Sequence, residues 1–216
     1  MSDSDSTPPP SYGSDFWDNR YGTAGTDYVF GTAPNDFLAA CASSLPPQSK
    51  VLCLAEGEGR NAVHLARLGH TVTAVDQSAT GLAKARELAA QHGVSITTLT
   101  ADLATFTIAP GAWDAVVSIF CHLPPDLRRQ VHARAAAGLR PGGHLILEAY
   151  TPEQLNHRTG GPINNPPLLM RRAEIVTEFP GLTWLTAQEI ERDVVEGTGH
   201  TGRAAVLQLH GQRPSA

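Results

Sequence analysis

From Lys50 onward the chain alternates between two kinds of hydrophobic pattern. Val51-Leu52-Cys53-Leu54-Ala55 is an unbroken apolar run of strand length. It is followed by Gly57-Glu58-Gly59 and by Ala62, Leu65, Ala66 and Leu68 on one side of a helix that Gly69 stops. Thr71 to Val75 predicts a second strand ending at Asp76, and Ser78 is placed to cap a helix running to about Gln91. Beyond Gly93, Val94 to Leu99 predicts a third strand and Trp113 to Phe120 a fourth. Pro124-Pro125-Asp126 opens a helix to Leu139, and Pro141-Gly142-Gly143 turns into a fifth strand, His144 to Tyr150. Strands alternating with helices imply right-handed βαβ units and a parallel sheet covered on both faces.

On either side of this stretch the rhythm differs. Residues 1–13 are rich in Ser, Asp and Pro and read as a disordered tail, which leaves 14–216 as one domain. Phe16, Trp17, Tyr21, Tyr28 and Phe30, interleaved with glycines, are too irregular for one long helix. Pro34-Asn35-Asp36 then opens a short helix to about Ala42. After the fifth strand, Thr151 to Leu168 reads as loop and Leu169 to Phe179 as helix. Two last strands, about Thr183 to Val195 and Arg203 to Gln212, have so short a join that they must run antiparallel.

Composition removes several classes of function. A formal net charge of −5 over 216 residues argues against general electrostatic attraction to nucleic acid or anionic membrane. The apolar runs are of strand length, so no membrane span is expected, and the first residues lack the basic and apolar blocks of a secretory signal. Cys41, Cys53 and Cys121 are odd in number and widely spaced. They form neither a disulfide framework nor a paired zinc motif, so no metal is expected and the set fits a reducing cytoplasm.

The chemistry centres on Gly57-Glu58-Gly59. Glycines between a strand and a helix let the backbone turn and let a ligand approach it, while the helix N-terminus favours an anionic group. Asp76, at the tip of the next strand, is placed to accept ribose hydroxyls. Gly57-x-Gly59-x-x-Ala62 fits a dinucleotide site as well as an adenosyl-sulfur site, so the motif alone leaves a small NAD(P)-dependent oxidoreductase open. Asp102 offers an acceptor for an adenine amino group one strand further out, and the C-terminal hairpin leaves too little chain for a second mononucleotide half.

With these residues the chain resembles the class I, Rossmann-like S-adenosylmethionine (SAM)-dependent methyltransferases. Within them it is similar to the tellurite-resistance-type branch, a relative of the thiopurine methyltransferases. The resemblance rests on Gly57-Glu58-Gly59-Arg60-Asn61-Ala62, Val72-x-x-Val75-Asp76, Ala101-Asp102-Leu103 and Leu139-x-Pro141-Gly142-Gly143, and covers about Phe16 to Arg213. It implies an α/β, three-layer sandwich with a seven-stranded, mostly parallel sheet and an antiparallel C-terminal hairpin. It also implies SAM as methyl donor and a small-molecule acceptor, a thiol or chalcogen anion such as tellurite or selenite, as partner. By resemblance, Ala55, Gly57, Glu58 and Gly59 hold the methionine part, Asp76 and Gln77 the ribose, and Asp102 and Leu103 the adenine, with Ile119 beside the sulfonium. Cys53 and Ala55 stand where the family's first motif has an acidic residue and a further glycine, and Glu56 is the nearest group to take over that polar work. A SAM-binding or nucleotide-binding regulator without catalysis is the reading from a different class.

Outside the cofactor motifs, Tyr21 is expected in a lid over the cofactor, since aromatic faces suit a sulfonium. His122 follows the fourth strand, where a hydrogen-bonded structural histidine competes with a catalytic one, and Cys121 reads as a half-buried structural thiol. Tyr150, Gln154 and His157 lie in or beside the long loop that could shape a pocket. The hairpin turn offers Glu196, His200 and Arg203. By resemblance, Arg203 draws in an anionic acceptor and His200 takes its proton, with His122 as a further catalytic candidate.

Overall fold

The computed structural model describes residues 13–215; the expected tail over residues 1–13 therefore falls almost wholly outside the described residues. Seven strands form one sheet: β1 Lys50–Leu54, β2 Thr71–Asp76, β3 Thr97–Thr100, β4 Trp113–Ile119, β5 Leu139–Tyr150, β6 Thr183–Glu196 and β7 His200–Gln212. Their order is β3-β2-β1-β4-β5-β7-β6, with β3 through β5 parallel and β7 antiparallel to both of its neighbours. The helices are α1 Ser14–Thr23, α2 Asp36–Ala42, α3 Arg60–Arg67, α4 Ala79–Gln91, α5 Pro125–Gly138 and α6 Arg172–Ile175.

The unbroken apolar runs follow from burial on both faces of the sheet. Leu52 and Leu54 of β1, Val116 of β4, and Leu145 and Leu147 of β5 point to one side and pack with Val131 and Ala135 of α5. The alternate residues Val51, Cys53, Val117 and Ile146 point to the other side and meet Leu38 of α2, Ala62 and Leu65 of α3, and Leu82 of α4. A strand sandwiched in this way has no polar face to alternate with. Ser78 caps α4 by accepting the Gly81 N–H at 2.9 Å, as its position predicts.

Three elements differ from the sequence reading. Residues 14–23 form a helix, because Asp18 and Tyr21 dock its face on α4 and supply the order that its own pattern lacks. The predicted helix over Leu169–Phe179 shrinks to α6 and a following tight turn, since Met170 is held extended by its N–H bond to the Tyr150 carbonyl. The fifth strand begins at Leu139 and carries Pro141-Gly142-Gly143 within it as an irregularity in its pairing with β4. No helix among the described residues is long and apolar enough to cross a membrane.

Gly59 locks α3 against α4. Its φ is +91°, and a Cβ there would come within 2.6–2.7 Å of Cβ and Cα of Ala85. Gly59→Ala is expected to lower stability by roughly 2–4 kcal/mol, from left-handed backbone strain plus overpacking. A fall in the denaturation midpoint at unchanged slope would register it.

Candidate active site

The helix after β1 covers one face of the sheet and the helix after β4 covers the other, while β1 and β4 lie side by side. A crevice therefore opens at their carboxyl ends, the usual ligand position in an open α/β sheet. Both strands end there in a non-glycine residue with positive φ, Ala55 at +49° and Phe120 at +53°. Each conformation costs on the order of 1–2 kcal/mol, and such strain collects where a site needs a fixed backbone shape. Ala55 thus keeps a left-handed backbone where the resembled family has glycine.

Glu56 lies beneath the glycine loop. Its Oε1 accepts the N–H groups of Asn61 at 3.0 Å and Ala62 at 2.7 Å, in the first turn of α3. Burial, and then the nearby Glu56 carboxyl, raise the pKa of the Cys53 thiol. Burial raises the pKa of Glu56 to about 7, against the pull of those N–H groups and of Arg60. A buried carboxyl thus stands at the start of α3, although position 53 holds Cys.

Asp76 faces this loop, accepting N–H groups from Gly57 and from Ser78, each at 2.8 Å; burial raises its pKa. Gln77 beside it is half-buried. Glu58 turns away and forms an ion pair with Lys84 at 2.6 Å. Lys84 also donates to the carbonyls of Asp27 at 2.5 Å and Tyr21 at 3.3 Å, so Glu58 ties down the N-terminal segment. Asp18 fastens the same segment to α4 by accepting from the Ser78 hydroxyl at 2.5 Å and the Thr80 N–H at 3.0 Å. Tyr21, 4% exposed, lies across the crevice: a Cβ on Gly57 would come 2.6 Å from its hydroxyl, and one on Gly81 would come 2.9 Å from its ring.

Next to the crevice is an aromatic enclosure. The His200 ring lies 4.5 Å from Phe30, 4.6 Å from Phe120 and 5.4 Å from Tyr150, centroid to centroid. Glu196 pairs with His200 across the β6–β7 turn, 3.7 Å from its Nδ1. Burial lowers the pKa of His200 despite this carboxylate.

The remaining predicted residues scatter. His122 spends both ring nitrogens on backbone, Nδ1 on the Leu168 carbonyl at 3.0 Å and Nε2 on the Tyr150 N–H at 3.4 Å. Burial lowers its pKa to about 4, so it is a neutral structural histidine, with neither nitrogen left for proton transfer. Arg203 is three residues from His200 along β7 and so faces the other side of the sheet. There it is half-exposed beside Glu191 and Asp193, and the structure does not bring it to the enclosure. Asp102 is exposed at the end of β3 and accepts the Ala104 N–H at 2.8 Å; Leu103 and Ile119 are buried, and Ile119 ends β4 at the crevice.

Residues 51–143 match the methyltransferase domain family. The 2-heptyl-1-hydroxyquinolin-4(1H)-one methyltransferase of Mycobacteroides abscessus is 26% identical, over 69% of this chain and 72% of that protein. A structure described under the conversion of a disulfide bond into a thioacetal group during echinomycin biosynthesis superposes with a TM-score of 0.75 at 21% identity, covering 93% of this chain and 91% of that one. TehB from Haemophilus influenzae gives 0.69 at 19%, covering 93% and 66%.

Residues 51–143 thus carry a SAM-dependent methyltransferase domain.

For this methyltransferase the nucleotide alternative left open by the glycine motif falls away, and the residues present suit SAM. The loop at Gly57 admits no side chain beneath Tyr21, Asp76 supplies the acid at the tip of β2, and Arg60 keeps one buried guanidinium nitrogen, Nη1, without a hydrogen-bond partner. SAM supplies an electrophilic methyl group on a positively charged sulfur. Among the described residues no group of three or more His, Cys, Asp or Glu could hold a metal.

The signals for the missed residues were local. Arg192 recurs at even spacing with Glu196, already singled out in the turn, on one face of β6, and Glu148 interrupts an otherwise apolar strand. A charge buried in such a position needs partners.

Because the folded protein raises the pKa of Glu56 above its ordinary 4.5, the native state holds the proton more tightly than the unfolded chain. Stability from this group is therefore full below pH 4.5 and declines as pH rises toward 7, by on the order of 3 kcal/mol. Glu56→Gln should remove that decline. The difference between wild-type and variant unfolding free energies, measured without ligand at pH 4.5 and pH 8, tests it, and equal pH dependence in the two proteins would refute it.

Proposed function

We propose that this methyltransferase acts on a small, weakly acidic acceptor, a thiol or chalcogenol, whose proton is taken by His200 as the methyl is transferred. The observation that carries the reading is the placement of His200 among Phe30, Phe120 and Tyr150, beside the end of β4. Transfer requires alignment and exclusion of water, which an aromatic enclosure provides. An ordinary thiol has a pKa near ~8.5 and is only a few per cent ionised at neutral pH, so a neutral imidazole beside it raises the nucleophilic fraction. The step balances: the acceptor sulfur would gain the methyl as the methyl–sulfonium bond of SAM breaks and its electron pair leaves on a neutral thioether, S-adenosylhomocysteine. The acceptor S–H bond breaks, and its proton passes to His200 and then to solvent.

A compact oxyanion such as tellurite fits this site less well. Arg60 and Arg192 beneath the enclosure are paired with Glu196 and Glu148, and Arg203 lies on the opposite face. A hydroxylated heteroaromatic ring is the second reading. The flat walls formed by Phe120 and Tyr150, stacked at 4.6 Å, favour it, as does the hydroxyquinolone named for the relative.

Labelled SAM presented with alkyl and aryl thiols, an N-hydroxyquinolone, selenite and tellurite tests the assignment. Thiols are expected to be labelled fastest, and preference for tellurite would overturn it. His200→Ala should lower kcat by roughly 10²–10⁴-fold while the Kd for SAM stays within about twofold. Arg203→Ala, whose ion pairs are exposed, should change turnover by less than about twofold. Because burial lowers the pKa of His200, the acidic limb of kcat/KM should lie below the ordinary 6.5 of imidazole. Unchanged turnover in His200→Ala removes the base.

A further inference from the structure

Beneath the enclosure Glu196 is held from three sides. Its Oε1 accepts from Asn35 Nδ2 at 2.9 Å and Arg192 Nη2 at 3.2 Å, and its Oε2 from Arg60 Nη2 at 2.6 Å. A carboxylate oxygen has room for two donors, so Oε2 keeps one position open. His200 Nδ1 stands 3.7 Å from that oxygen and is buried with no hydrogen-bond partner. The hairpin places the two side chains opposite one another, Glu196 pairing with His200 in the β6–β7 register, so both project on one face. A closure of about 1 Å makes the contact a hydrogen bond.

Other groups near the imidazole cannot serve Nδ1 in this way. Arg20 of α1 and Arg60 of α3 are cations, and His122 at the end of β4 is neutral with both nitrogens bound to backbone. Phe30 and Phe120 offer only rings, and Tyr150 offers a phenol whose pKa burial raises further. Glu196 itself is fully ionised near neutrality: burial raises its pKa, but His200 and Arg60 outweigh that and bring it to about 2.

We infer that Glu196 is the positioning residue for His200: its carboxylate, fixed by Asn35, Arg60 and Arg192, takes the Nδ1–H and leaves Nε2 as the ring's free lone pair. The arrangement sets the tautomer that a base at this place requires, since only the nitrogen without hydrogen can accept a proton. It rests on the assignment of His200 as base, but it is read independently of turnover.

The full-length protein, labelled with 15N in its histidine rings, reports tautomer and protonation directly by NMR. In the wild type His200 is expected as the Nδ1–H form. In Glu196→Gln the loss of the nearby charge should lower its protonation constant about tenfold. Glu191→Gln, which removes a carboxylate from the outer face of β6, should leave His200 unchanged. Glu196→Asp keeps the charge that Arg60 and Arg192 need but draws it back from Nδ1. It should fold as the wild type and still lose the tautomer preference, which covers the case in which Glu196→Gln fails to fold. With either variant kcat should fall at least about tenfold while KM for SAM stays within about twofold. A wild-type His200 in the Nε2–H form, or ring signals unmoved by Glu196→Gln and Glu196→Asp, overturns the inference. If the NMR pattern holds and His200→Ala still turns over normally, the pairing stands and the base assignment is the part that fails.

Discussion

Two buried carboxylates, Glu148 and Glu196, share two guanidinium groups and one amide at the carboxyl end of the sheet, and the site is built around that cluster. Arg192 reaches both acids, Arg60 reaches Glu196, Asn35 donates to each, and Gln208 donates to Glu148 at 2.6 Å. The two negative and two positive charges balance. Removing one partner from such a cluster typically costs roughly 3–5 kcal/mol, because the remaining charge stays buried and unmatched. The members come from β5, β6, β7, the start of α3 and the segment before α2. A satisfied network of this kind permits one arrangement of those five pieces, and it therefore fixes where His200 stands relative to the end of β4.

The cofactor side relies on a different device. The crevice exists because the helices after β1 and β4 leave the sheet on opposite faces, and its rim is held by strained backbone at Ala55 and Phe120. Glu58 and Asp18 then fasten the N-terminal segment across it through Lys84, Ser78 and Thr80. Glu58, the acid of the glycine motif, thus clamps the N-terminal segment through Lys84. Glu56, one residue before the first glycine, does the polar work under the loop.

Electrostatics beneath the aromatic enclosure follow from strand parity. Arg192, Val194 and Glu196 share one face of β6 with His200 of β7, while Glu191, Asp193 and Arg203 share the other. The cations within reach of the enclosure are largely neutralised by the buried carboxylates, so it presents aromatic walls and an imidazole more than a net positive field.

Much of this was legible in one dimension. The unbroken apolar strands, the helix-period patterns between them and the Gly57–Gly59 turn determined the layered α/β sheet, the antiparallel end and the crevice with Asp76 beside it, because local periodicity and glycine placement act through neighbours in sequence. The order in α1 was not legible, since its helix depends on docking against α4. Nor was the failure of the helix after Leu168, which a single bond from Met170 to Tyr150 dictates. The roles of Arg60, Arg192, Glu148 and Glu196, the outward turn of Arg203 and the backbone-bound state of His122 were decided only by tertiary structure. Each depends on hairpin register and on contacts spanning dozens of residues, and a shift of one residue in that register would exchange the two faces.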